Sequence, residues 1–167
     1  MQARKSLNLS IVRAMATDRT YLLVDGNNII HAWSELKELH QRGKGLAHER
    51  LRHLLECYQD VSGQRVVLVF DGRNERMETQ RNLDVNEIQV FYSDSSHTAD
   101  DIIERLSAKY AERFRLTVAT NDLAEQSMVN SLGAEVISAD VLRQQLENTE
   151  GVMSDWLYRY RQHSDVL

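Results

Sequence analysis

The sequence predicts an α/β fold, a three-layer sandwich around a mostly parallel central sheet. Three observations lead there. Short β-rich runs alternate with stretches of helical period along most of the chain, the pattern of strands joined by crossover helices. The run VVLVF, residues 66–70, is apolar at every position, as a strand covered on both faces requires. The 167 residues contain no repeat, low-complexity tract or interdomain linker, so they suit one domain with a hydrophobic core.

The elements follow in chain order. Residues 1–19 hold a short apolar patch and two early positive charges but lack the long apolar stretch of a secretory signal. They read as an N-terminal extension to a single domain over 20–167. Strands are expected at 21–24, 65–70, 88–92, 115–119 and 135–137. Between them, Ile29, Ile30, Trp33 and Leu36 share one helical face, as do Leu51, Leu54, Leu55, Tyr58 and Val61. Ile102, Ile103, Leu106 and Tyr110 form a third such set. A further helix should begin near Leu123. The polar stretch 72–86 reads as a loop, or a loop and a helix. Residues 150–163 read as a terminal helix carrying Trp156, Leu157 and Tyr160.

Composition narrows the function classes. A net charge of -5 argues against broad adhesion to nucleic acid and leaves room for a local basic groove. No apolar run is long enough to span a bilayer. The single cysteine, Cys57, excludes an intramolecular disulfide and a cysteine metal cluster. It sits in a helical pattern and is expected to be an inert, buried or half-buried thiol. A cytoplasmic location is the expectation from these features.

The aspartates form the most informative pattern. Asp25 follows YLLV, Asp71 follows VVLVF, and Asp122 follows LTVAT by one residue. Asp100 and Asp101 follow the strand IQVFY and its short loop. The C-terminal ends of parallel strands lie along one edge, where ligands bind. Residues far apart in sequence can therefore converge there. Crowded carboxylates repel, and a hard divalent cation such as Mg²⁺ or Mn²⁺ offsets that repulsion. Each acid also has a plainer explanation. Asp25 and Asp71 precede glycines and suit turns. Asp122 suits an N-cap. Thr98 suits the cap of its helix, with Asp100 and Asp101 in a first turn that favours acids. Recurrence at successive strand ends favours the cation reading for the set, with Asp71 kept as a turn residue. Adjacent helical residues diverge by about 100°, so one of Asp100 and Asp101 should face inward. Asp101 is the expected one.

Four stretches, LLVDGNNIIHAW, VLVFDG, VFYSDSSHTADDIIERL and LTVATNDLAEQ, resemble the bacterial YacP-like NYN domains of the PIN-like nuclease superfamily. The resemblance spans residues 21–156. It implies a metal-dependent ribonuclease fold. It also implies a link to translation, since one branch holds a ribosome-associated endoribonuclease that cuts mRNA. Matched motif by motif, it assigns the first-strand aspartate to Asp25 and the motif asparagine to Asn28. The paired aspartates are Asp100 and Asp101, and the last acid is Asp122. Many relatives carry an aromatic residue where this chain has Asn27.

The remaining candidates are weaker. Arg73, Arg76 and Arg81 follow Asp71 in a loop that reads as solvated, yet it borders the expected crevice, where phosphate contact is plausible. Arg42 and Lys44 flank Gly43 in a turn. His48 and His53 lack metal-ligand spacing on one helical face. His97 abuts the TADD motif and is a candidate RNA contact. Ser93, Ser95 and Ser96 lack a catalytic-triad context, and no phosphate-binding glycine loop is present.

The leading expectation is a metal-dependent endoribonuclease acting on single-stranded RNA, mRNA included, with an implied ribosome link. Asp25, Asp100 or Asp101, and Asp122 would hold Mg²⁺ or Mn²⁺. Asn28, Asn121, Thr98 and the three arginines would contact substrate. Attack of water in line on phosphorus would leave no covalent enzyme intermediate. The alternative is a noncatalytic RNA- or ribosome-binding module, to which clustered acids offer nothing. A phosphoaspartate domain would want a DxD pair after the first strand, and DGNN lacks one.

Overall fold

The computed structural model describes residues 19–72 and 87–164. Arg73, Arg76 and Arg81 lie outside the described residues, as does the expected extension up to residue 18. Among the described residues, five strands form one sheet: β1 (Thr20–Asp25), β2 (Arg65–Phe70), β3 (Gln89–Tyr92), β4 (Arg115–Ala119) and β5 (Glu135–Ile137). Their order is β3-β2-β1-β4-β5, and all four pairings are parallel. The sheet is thus wholly parallel, where a mostly parallel one was expected.

Six helices among the described residues flank the sheet: α1 (Gly26–Ala32), α2 (Ser34–Arg42), α3 (Lys44–Ser62), α4 (Ala99–Tyr110), α5 (Leu123–Ser131) and α6 (Ala139–Ser164). Side chains of β1 alternate across the sheet. Leu22 and Val24 join a core with Ile29, Leu36, Leu51, Leu55 and Leu142 from α1, α2, α3 and α6 and with Trp33 between α1 and α2. Leu23 joins a second core with Ile103 of α4 and Val129 of α5. This places two helical layers on opposite faces. Cys57 is half-buried in α3.

Two helices differ from expectation. The stretch around Ile29 to Leu36 breaks at Trp33, whose backbone is extended at φ -98° and ψ 120°. Its indole N–H donates to the Ala139 carbonyl at 3.1 Å, so the buried ring ties α1 and α2 to the start of α6. Helix α6 starts eleven residues before residue 150. Leu142 and Leu146, four apart, bury its first turns, but the polar residues between them weaken that pattern in the sequence.

The strand order reverses between β1 and β4, where the chain leaves β3 and crosses to the far side of β1. A crevice opens outside the C-terminal ends at such a switch point. Gly26 begins α1 there. A Cβ on it would run into the Phe70 ring and the Val69 carbonyl oxygen, so the first turn of α1 can sit this close to β2 only with glycine.

Candidate metal centre

Asp25 ends β1 two residues after Leu23, so strand alternation turns it toward the α4 and α5 layer. Asp100 is the second residue of α4, and Glu125 is the third residue of α5. One carboxylate oxygen from each of these three lies within 4.8 Å of the other two. Asp25 is 6% exposed and Glu125 3% exposed, whereas Asp100 is exposed at the rim. The group is therefore a pocket with a buried acidic floor and one open acidic wall.

The floor is poor in hydrogen-bond donors. Asp25 Oδ1 accepts from the Asn28 backbone N–H at a long 3.4 Å. Both Glu125 carboxyl oxygens are fully buried without a well-formed hydrogen bond; the Thr120 hydroxyl and the Asp25 carboxyl are the polar side chains that act on it. A buried, poorly partnered carboxylate is costly. Burial accordingly raises the proton affinity of Glu125, and the neighbouring Asp25 charge adds to it. Asp25 is raised as well, chiefly by burial, with Asp100 and Asp71 contributing. Asp100 is raised by partial burial and then by the charges of Asp122, Asp71 and Asp101.

The remaining predicted residues sit around this pocket in other arrangements. Asp101 forms a capping box with Thr98. The Thr98 N–H donates to Asp101 Oδ2 at 2.9 Å, and the Asp101 N–H donates to Thr98 Oγ1 at 3.2 Å. That bonding pulls the Asp101 carboxyl below its usual range. The inward member of the pair is thus Asp100, the reverse of the order expected from sequence. Asp122 caps α5, with Oδ1 accepting from the N–H groups of Ala124 and Glu125 at 2.8 and 3.1 Å. It stands outside the three-oxygen group and places Glu125 within it. Asn28 Oδ1 accepts from the Asn121 N–H at 2.7 Å, and Asn121 Oδ1 accepts from the Ala139 N–H at 2.8 Å. These bonds lock the β1, β4 and β5 ends together. His97 Nδ1 pairs with Asp94 Oδ1 at 3.3 Å in the loop before α4.

Sequence reasoning missed Glu125. Its signal was an acid in register with Met128, Val129 and Leu132, the apolar stripe of a helix that begins at the sheet edge.

The donor set fits a hard divalent cation. It consists of carboxylate oxygens, the ligands preferred by Mg²⁺ and Mn²⁺. Metal–oxygen distances of about 2 Å put oxygens on one ion roughly 3–4 Å apart, so small side-chain adjustments would enclose one. Two buried carboxyl groups facing each other, Asp25 and Glu125, with Asp100 at the rim, are an arrangement that a divalent cation would neutralise.

The model of the YacP-like NYN domain matches residues 22–165. The chain belongs to this family. The NYN domain described here is 32% identical over 130 residues to the uncharacterized protein YacP of Bacillus subtilis (strain 168), covering 77% of this chain and 76% of that protein. It is also similar to the crystal structure of Rae1 (YacP) from B. subtilis, with a TM-score of 0.73 and 29% identity over 87% of this chain and 84% of that one. A point variant of Rae1 gives a TM-score of 0.72 at 31% identity, covering 84% and 82%. The family has a nuclease fold, and the acidic group lies at the C-terminal strand ends, where open parallel sheets bind ligands. No described helix is long and apolar enough to cross a membrane.

Proposed function

We propose that this NYN domain is a metal-dependent endoribonuclease that cleaves single-stranded RNA, mRNA included, free or presented on a ribosome. The pair of buried carboxylates at the switch point carries this reading. Asp25, Asp100 and Glu125 would hold Mg²⁺ or Mn²⁺, which supplies charge neutralisation for the phosphoryl group and acidifies water. Asp122 acts through Glu125, whose backbone it caps, and Asp101 with Thr98 fixes the start of α4. Asn28 and Asn121 spend their amide oxygens on backbone N–H groups. Their NH₂ groups are left as donors, the right polarity for a phosphate oxygen. Arg73, Arg76 and Arg81 remain proposed phosphate contacts. A binding module without catalysis would gain nothing from two buried acids that lower affinity for RNA.

The test is cleavage of a single-stranded RNA by purified protein with Mn²⁺, with Mg²⁺ and with chelator, each with and without ribosomes. Internal cuts that need the cation and vanish in Asp25→Asn are expected. Equal cleavage in chelator, or none under any condition, would refute the assignment.

A further inference from the structure

Asp71 is not one of the three pocket carboxylates, and a turn accounts for only part of its bonding. Its Oδ1 accepts from the Ala99 N–H at 2.8 Å and from the Ser93 hydroxyl at 3.2 Å. Its Oδ2 accepts from the Asn27 side-chain amide at 3.4 Å. Ser93, 2% exposed, also takes the Gly72 N–H on its hydroxyl at 3.1 Å. Its own N–H donates to the Phe70 carbonyl at 2.8 Å. One carboxylate therefore joins the end of β2, the end of β3, the first residue of α4 and the start of α1. A Cβ on Gly72 would run into the Ser93 carbonyl oxygen, so the two strand ends meet without a side chain between them.

The bond to Ala99 matters because Asp100 comes next. The first N–H groups of a helix lack partners within it. In α4 they are divided: Thr98 takes the Asp101 N–H, and Asp71 takes the Ala99 N–H. Each residue turns the helix by about 100°, so a slip of one position would exchange Asp100 for Asp101 at the pocket. Asp71 also adds negative charge near Asp25 and Asp100. The fold tolerates that repulsion, and an uncharged turn residue would avoid it.

We propose that Asp71 is a positioning residue for the pocket: its grip on the Ala99 N–H from the end of β2 sets the start of α4 so that Asp100, and not Asp101, completes the cation site with Asp25 and Glu125. This rests on reading the pocket as a cation site. The acid acts by geometry and touches neither cation nor substrate.

Two substitutions separate geometry from charge. Asp71→Asn removes the charge and keeps an oxygen for Ala99 and Ser93. Its new NH₂ group can meet Asn27 Oδ1, which is buried without a donor. Asp71→Glu keeps the charge and moves the oxygens by one methylene. Asp71→Ala removes both. Mn²⁺ affinity of the full chain is measured by titration calorimetry, and exchange of the Ala99 amide by NMR in chelator. The expected result is near-native affinity in Asp71→Asn and a loss of ~10–100-fold in Asp71→Glu and Asp71→Ala, the scale for partners that orient metal ligands. Ala99 exchange should quicken in the same two variants. If Asp71→Ala does not fold, the Asn and Glu pair decides alone. Native affinity in Asp71→Glu with loss in Asp71→Asn would overturn the proposal in favour of charge. Wild-type protein that binds no Mn²⁺ would refute the cation site and this role with it. Wild-type binding with all variants unchanged would refute only the role of Asp71.

Discussion

Replacing Glu125 by Gln should make the metal-free protein more stable while removing its response to metal. Glu125 is 3% exposed, and its oxygens make no well-formed hydrogen bond. An oxygen of it lies within 4.8 Å of oxygens of Asp25 and Asp100. At that separation two full charges repel by roughly 3.5 kcal/mol at an effective dielectric of about 20. Part of this is already relieved because Glu125 holds a proton more tightly than a free acid. A gain of ~1–3 kcal/mol is therefore expected, since Gln removes the charge and can donate to Asp25. For a domain of this size that corresponds to a rise in Tm of about 2–10 °C. In the wild type, Mn²⁺ at about 100 times its Kd should add ~2.7 kcal/mol, and the variant should lose most of that shift. Thermal melts at pH 7 in chelator and in Mn²⁺ give both numbers. A variant that melts lower than wild type in chelator, yet keeps the full Mn²⁺ shift, would refute the pocket's role.

Other outcomes follow from the same geometry. Asp101→Ala should cost about 0.5–2 kcal/mol through the capping box and leave Mn²⁺ affinity near native. Asp100→Asn should do the reverse, and paired melts and titrations distinguish them. Asp25, Asp100 and Glu125 all have raised proton affinities in the fold, so the native state binds more protons than the unfolded chain. The contribution of these three acids to metal-free stability should thus be full below ~4 and be lost as pH rises through the raised values, a trend opposite to that of Asp101, whose lowered carboxyl loses its contribution as pH falls. Saturating Mn²⁺ should flatten the loss from the three acids, and binding should release protons, as denaturant melts and calorimetry in two buffers would show. Asn28→Asp keeps the acceptor for the Asn121 N–H but loses the NH₂ donor. Its cleavage rate should drop ~10–100-fold, the value of a hydrogen bond to a charged group, with Tm little changed. Equal loss of stability and rate would assign Asn28 to structure alone.

The inner strand 65–70 was legible because a strand buried on both faces is apolar at nearly every position, and the β-rich runs 115–119 and 135–137 also match the observed bounds. The convergence of strand-end residues was legible from topology, since Asp25 and the TADD helix start do meet at one edge. The orientation of that helix start was harder. Thr98 and Asp101 have the three-residue spacing of a capping box, a signal that the expectation of an inward Asp101 passed over. Glu125 stayed hidden because Asp122, three residues earlier, drew the same kind of attention. A cap and a pocket residue at N-cap and N3 of one helix look alike until the buried face is known. The break at Trp33 depends on a bond to Ala139, 106 residues away, which no local pattern encodes.

The most direct measurement is anomalous diffraction from crystals soaked in Mn²⁺. A peak should lie about 2 Å from oxygens of Asp25, Asp100 and Glu125, with Asp101 still bonded to the Thr98 N–H and Asp122 still capping α5. A peak held by Asp101 or Asp122 with Glu125 left unligated, or an empty pocket at saturating Mn²⁺, would contradict the account.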